Sequence, residues 1–256
     1  MKIIKFCFLY IAFLFTFAQI ASCADYDLPA LRKIITDNEK AVVNITVVVE
    51  ETVSYQGSSE KGESVSQSVG TIIDKSGLVI TAYSDLISDS STYSFMADDP
   101  DFSSSQTVKD IKLRLNDGNE IQADMVLNDT DLDIAFIAPK SKSEKEFPFI
   151  DLSNYTDLEI LDPILGISRM GKVGNYSYSS AIDHINSVIL KPRKMYIASN
   201  IEPSAPVFAL DGKLLGISTW KEMKAGSGDD YDYLLVILPA TTIQEIAKQA
   251  LELMAK

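Results

Sequence analysis

Histidine is nearly missing from this chain: His184 is the single one among 256 residues. Cysteine occurs twice, at Cys7 and Cys23, and tryptophan once, at Trp220. So little imidazole and thiol leaves no His/Cys cluster for zinc or a related metal. No glycine-rich phosphate loop occurs either, so no cofactor is expected. The acidic groups Asp98-Asp99-Asp101 and Asp229-Asp230-Asp232 lack the glycine and glutamate spacing of a calcium loop and read as solvated, so no metal site is expected. Basic residues are also scarce, 23 Lys and Arg against 36 Asp and Glu, for a formal charge of −13. That balance excludes nucleic acid and unaided adhesion to anionic membranes.

Long apolar runs are confined to the N-terminus. Lys2 and Lys5, the apolar stretch Phe6–Ile20 and the small residues Ala21 and Ser22 read as a secretory signal over residues 1–24. About 15 apolar residues are short for a span of roughly 20. Ile20-Ala21-Ser22-Cys23 resembles a bacterial lipobox, and two readings stay open. Either Cys23 is acylated and becomes the mature N-terminus, or the signal is cut after Ala24. The expected location is extracytoplasmic (periplasmic, cell-envelope lipoprotein or secreted), with membrane contact only through a lipid on Cys23. Cys7 leaves with the signal, so the domain at 25–256 has no disulfide. Losing Lys2 and Lys5 takes its charge from −13 to about −15.

What is present is a series of short β-branched runs between turn signals. They are Val42–Glu50, Ser68–Asp74, Leu78–Thr81, Ile111–Leu115, Ile121–Leu127 and Asp133–Ala138, then Pro163–Ile167, Ser179–Leu190, Met195–Ser199, Val207–Ala209, Leu214–Thr219 and Tyr233–Leu238. Asn116-Asp117-Gly118 and Asp211-Gly212 supply turns in which glycine accepts positive φ. Such spacing predicts an all-β barrel or sandwich rather than βαβ units. A short helix is predicted over Leu28–Lys40, with Leu31, Ile34 and Ile35 on its apolar side. A second runs over 242–255, with Thr242 and Glu245 spaced as a capping box and Ile243, Ile246, Ala250, Leu251 and Met254 on one face. Tyr55–Gln67, Ser88–Thr107 and Glu222–Asp232 read as exposed loops.

Several segments, in this order, resemble the trypsin-like domain of the HtrA/DegP family. Ser68-Val69-Gly70-Thr71-Ile72-Ile73-Asp74 and Gly77-Leu78-Val79-Ile80-Thr81 are similar to its G-S-G-hydrophobic-I-I-D and G-x-hydrophobic-hydrophobic-T. Leu115-Asn116-Asp117-Gly118, Ala123 and Asp133-Ile134-Ala135 follow its L-x-D-G, A and D-L-A. Ser204-Ala205-Pro206-Val207-Phe208 with Asp211–Gly216 resembles the stretch after the nucleophile, and Leu235–Pro239 with the closing helix resembles its end. The resemblance implies an all-β fold of two antiparallel six-stranded barrels, chymotrypsin-like, at about 42–140 and 151–240. No PDZ domain is expected.

The same resemblance locates the catalytic positions. Ser-His-Asp chemistry needs a base for the serine proton, a carboxylate to orient it, and oxyanion donors. Where the family has the histidine of T-N-A-H, this sequence has Thr81-Ala82-Tyr83-Ser84, and a hydroxyl is no general base near neutral pH. Asp133 matches the family aspartate, with a hydrogen bond to Ser84 or Tyr83 as its expected remaining role. Aligned on Pro206, the nucleophile position falls on Pro203, with Ile201-Glu202 in place of Gly-Asn. Proline has neither hydroxyl nor N–H, so an oxyanion donor goes with the nucleophile. Ser204 is the neighbouring hydroxyl, and His184 falls out of order for the fold.

The expectation is therefore a catalytically inactive, HtrA-like binding or scaffold module with a protein or peptide partner. Homo-oligomer formation, as in HtrA trimers, stays open. The alternative is a serine endopeptidase with an unusual site built from Ser204 and His184.

Overall fold

The computed structural model describes residues 26–87, 99–224 and 231–255. The signal segment, Cys23, Asp98 and Asp229-Asp230 lie outside them. Helix α1 (Leu28–Asn38) begins where Asp27 Oδ1 accepts the Ala30 N–H at 3.1 Å, satisfying a free donor of the first turn. It buries Leu31 and Ile34, and a 3₁₀ turn at Glu39–Ala41 carries the chain into the first strand.

Six strands close a barrel in the order β1-β2-β3-β6-β5-β4. They are β1 (Val42–Tyr55), β2 (Ser58–Ile72), β3 (Val79–Ala82), β4 (Phe102–Arg114), β5 (Glu120–Asp129) and β6 (Ile134–Pro139). Ile45, Val47, Ile80, Leu113 and Phe136 are fully buried and fill the interior, where β-branched and aromatic residues suit a pleated inner face.

The second half comprises β7 (Pro163–Arg169), β8 (Tyr178–His184), β9 (Ser187–Ile189), β10 (Met195–Ile197), β11 (Pro206–Ala209), β12 (Leu214–Lys224) and β13 (Tyr231–Pro239). Their order is β8-β7-β11-β12-β13-β10-β9. The run expected as one strand, Ser179–Leu190, breaks at Ile185-Asn186. Its first part pairs with β7 and its last with β10, so one stretch of chain supplies both ends of the sheet. The Ile185 N–H turns to Asp162 O and the Asn186 N–H to Ile197 O, which makes the bend. The sheet curls into a half-barrel, continuous through the chain where a closed barrel would have a ladder.

One of the three expected loops, Tyr55–Gln67, is largely strand, and so is part of each of the other two. Tyr55–Gln67 is a tight hairpin in which Tyr55 pairs with Ser58 across Gln56 (φ 48) and Gly57 (φ 80). Both central residues are left-handed, as a two-residue turn with the strand twist requires. Phe102–Thr107 lies in β4, and the hairpin after Glu222 is paired out to Lys224 and Tyr231. The outer lengths of β2 and β4 are polar and Ser-rich and bury no side chain, so the backbone ladder holds them and no apolar alternation marks them.

Helix α2 (Ala240–Met254) starts two residues before the expected cap. Pro239 stands at the N-cap and no side chain caps the helix, so the Thr242/Glu245 box does not form. β13 runs straight into the helix, and burial of Ala240 fixes the start instead. Ala240, Ile243, Ala247 and Ala250 are the buried stripe, with Ile246, Leu251 and Met254 packed at its margin.

Candidate functional site in the cleft between the two sheets

Asp133 sits just before β6 with φ 51, a backbone state disfavoured for a side chain with a Cβ and worth explaining by its contacts. Its Oδ1 accepts the Ser84 N–H at 2.7 Å and its Oδ2 the Ser84 hydroxyl at 2.9 Å. From the other sheet, Thr219 Oγ1 donates to Oδ2 at 3.1 Å and the Trp220 N–H at 3.3 Å. The Thr219 hydroxyl is also 2.6 Å from the Asp133 carbonyl oxygen. Asp133 thus ties the end of β3 to β12 across the seam, and Ser84 is one of its donors.

Ser204 is fully buried and left-handed, with φ 61. Its Oγ accepts the Ala82 N–H at 2.8 Å, lies 3.2 Å from Thr81 Oγ1 and donates to Asp85 Oδ2 at 3.1 Å. The hydroxyl therefore points into the seam between the sheets. The neighbouring donors are also committed inward: the Ser204 N–H goes to Ser218 O at 2.9 Å and the Ala205 N–H to Ser218 Oγ at 3.0 Å. Ile201 is buried against Gly166, whose added Cβ would lie 2.8 Å from Ile201 Cδ1. Beside it remains a hollow of about 100 Å³ lined by Gly166, Ser168, Ser179 and Glu202.

His184 stands apart from these groups. It is exposed on β8, and its Nε2 lies 3.2 Å from the Tyr26 hydroxyl. No hydrogen bond joins it to Ser204 or Asp133 among the described residues.

Asp85 was not singled out from the sequence, yet it is central. Ser68 Oγ donates to its Oδ2 at 3.2 Å beside the Ser204 bond, and Trp220 adds a side-chain hydrogen bond. Burial pushes the Asp85 carboxyl above its ordinary value and the charge of Asp133 pushes the same way, while the three hydrogen bonds pull against them. The single carboxylate in the mostly apolar stretch Leu78–Ile87 was the available signal. It could not reveal that the side chain folds back between the sheets.

Two hollows open on this seam, and Asp85 lines both. One, of about 950 Å³, has walls of Tyr83, Trp220 and Tyr233. The other, of about 680 Å³, runs past Gln67, Arg169, Met170 and Glu202 to Pro203. Arg169 there is buried and occupied, its Nε donating to Tyr176 O at 3.0 Å. Among the described residues, no group of three His, Cys, Asp or Glu side chains could hold a metal ion.

A closed barrel and a curled half-barrel, with Asp133 and the turn Glu202–Ala205 meeting at the seam, form the trypsin-like architecture. The chain is 26% identical over 167 residues to a protein of Rickettsia conorii described as "Probable periplasmic serine endoprotease DegP-like". That match covers 61% of this chain but 29% of the relative, so the chain spans less than a third of the relative's length. The similarity is distant and is to a serine endoprotease of DegP-like type. No family model matches the sequence.

Proposed function

We propose that this is an exported, HtrA-like protein in which hydrolysis has been lost and the cleft binds an extended segment of another protein. The observation that carries the reading is Ser204. The hydroxyl nearest the nucleophile position is buried and held by Asp85, Ala82 and Thr81, where no substrate carbonyl reaches it. Pro203 lacks the N–H of an oxyanion donor, and the next two N–H groups serve Ser218. Ser84 holds Asp133 in place of an imidazole, and Ile201 narrows the hollow beside the turn.

Binding needs none of the lost groups. β11 pairs with β12 only as far as Ile217, whereas β13 follows β12 to Lys224. Past Ser218, whose N–H and carbonyl bond Ala205 and Ser204, the second edge of β12 carries no strand among the described residues; Asp133 takes the Trp220 N–H, and Trp220, Lys221 and Glu222 line the cleft there. An extended peptide can add to such an edge through its main chain. No helix among the described residues is long and apolar enough to cross a membrane. Export and any lipid on Cys23 rest on residues 1–24, and mass spectrometry of the mature N-terminus distinguishes acylated Cys23 from simple cleavage.

The test is incubation of the purified protein with casein and with a fluorophosphonate probe. The expected result is no cleavage and no covalent label. Labelling that disappears in Ser204→Ala would establish the alternative, a serine endopeptidase using Ser204.

A further inference from the structure

We propose that the larger hollow of the cleft selects an arginine side chain on the bound segment. This rests on the reading of the cleft as a peptide-binding groove and names what that groove prefers. The hollow of about 950 Å³ combines two features that a cation uses together. Tyr83, Trp220 and Tyr233 present aromatic surface, and a ring face attracts a cation placed over it. Asp85, Asp133 and Glu222 add carboxylates from three separate elements.

The charge there is not neutralised from within. Lys221 is the one lysine or arginine among the lining residues, and Asp131 holds it, with Nζ 2.6 Å from the Asp131 carbonyl oxygen and 3.0 Å from Oδ1. Asp85, Asp133 and Glu222 form no ion pair among the described residues. Asp85 is the telling case, because a largely buried carboxylate met only by hydroxyls and an indole is costly to keep charged. A guanidinium entering the hollow would supply the missing countercharge, stack on Trp220 and present donors in a planar fork, which an ammonium cannot. The overall charge of −13 draws such a partner in.

Trp220 is the only tryptophan in the chain, so its emission reports on this hollow alone. The probes are five acetylated, amidated Val/Thr pentapeptides with one arginine at each position in turn, and the same five with citrulline. At least one arginine peptide should shift the emission saturably, with its citrulline counterpart about tenfold weaker or worse. Glu222→Gln, an exposed change that should not disturb folding, should weaken the arginine peptide and leave the citrulline one unchanged. Equal binding of both sets would overturn the charge selection and leave peptide binding standing. Failure of all ten, by emission and by calorimetry, would overturn both.

Discussion

Ser84 is a double donor to Asp133 at the seam of the two sheets. Its N–H and hydroxyl both serve Asp133, so Ser84→Ala leaves one donor and removes a charge-assisted bond. The expected loss is about 1.5–3 kcal/mol in a urea titration, with no change in casein turnover. A cost near zero would mean that the bond holds nothing in place. Asp85 should be visible in the pH dependence of stability. Folding raises its pKa, so the folded state holds the proton more tightly than the unfolded chain does. Its stabilising contribution is complete below the ordinary aspartate value of about 3.9 and is lost as pH rises through the raised value. The Tm of the wild type minus that of Asp85→Asn should therefore fall across this window. A difference that is flat with pH would contradict the burial of this carboxyl.

Among the elements, β12 is the most constrained, since it joins β11 to β13 and also walls the cleft. At Gly216 an added Cβ would sit 1.8 Å from the Leu238 carbonyl oxygen, a backbone atom that cannot step aside. Gly216→Ala should cost about 3 kcal/mol or more, or prevent soluble expression, and denaturant midpoints would measure it. The strands read from the sequence were those packed into the core, such as Val42–Val49 and the wholly buried Ile134–Ala138, because β-branched and continuous apolar runs are what burial demands. The Ser- and Glu-rich lengths of β2 and β4 went unrecognised because their stability lies in pairing with β1, and a ladder of backbone bonds leaves no trace in side-chain pattern. The Thr242/Glu245 spacing misled for the opposite reason. A cap motif was present, but tertiary burial of Ala240 began the helix earlier.

For the molecule as a whole, the charge of −13 means that compaction works against self-repulsion. Raising salt from about 0.01 to 0.1 M shortens the screening length from roughly 30 to 10 Å, so Tm should rise over that range. The same addition should weaken the arginine peptides more than their citrulline counterparts. Opposite movements of stability and binding would tie both to one field, and a Tm that falls with salt would argue that local pairs such as Lys194–Asp157 outweigh it.

The sequence by itself determined the β-rich fold and the identities at the critical positions: Ser84, Pro203, Ser204 and a lone His184 are matters of covalent structure. It also determined the acidity and the lack of a His/Cys cluster for a metal. Which hydroxyl meets which carboxylate was decided only by the packing of the two sheets. Ser204 and Asp85 are 119 residues apart and come within 3.1 Å because β3 and the turn before β11 end at the same seam. Local pattern reports what a residue prefers around itself, whereas that seam is made by long-range closure. The cleft, its aromatic walls and its uncompensated carboxylates belong to the tertiary structure alone.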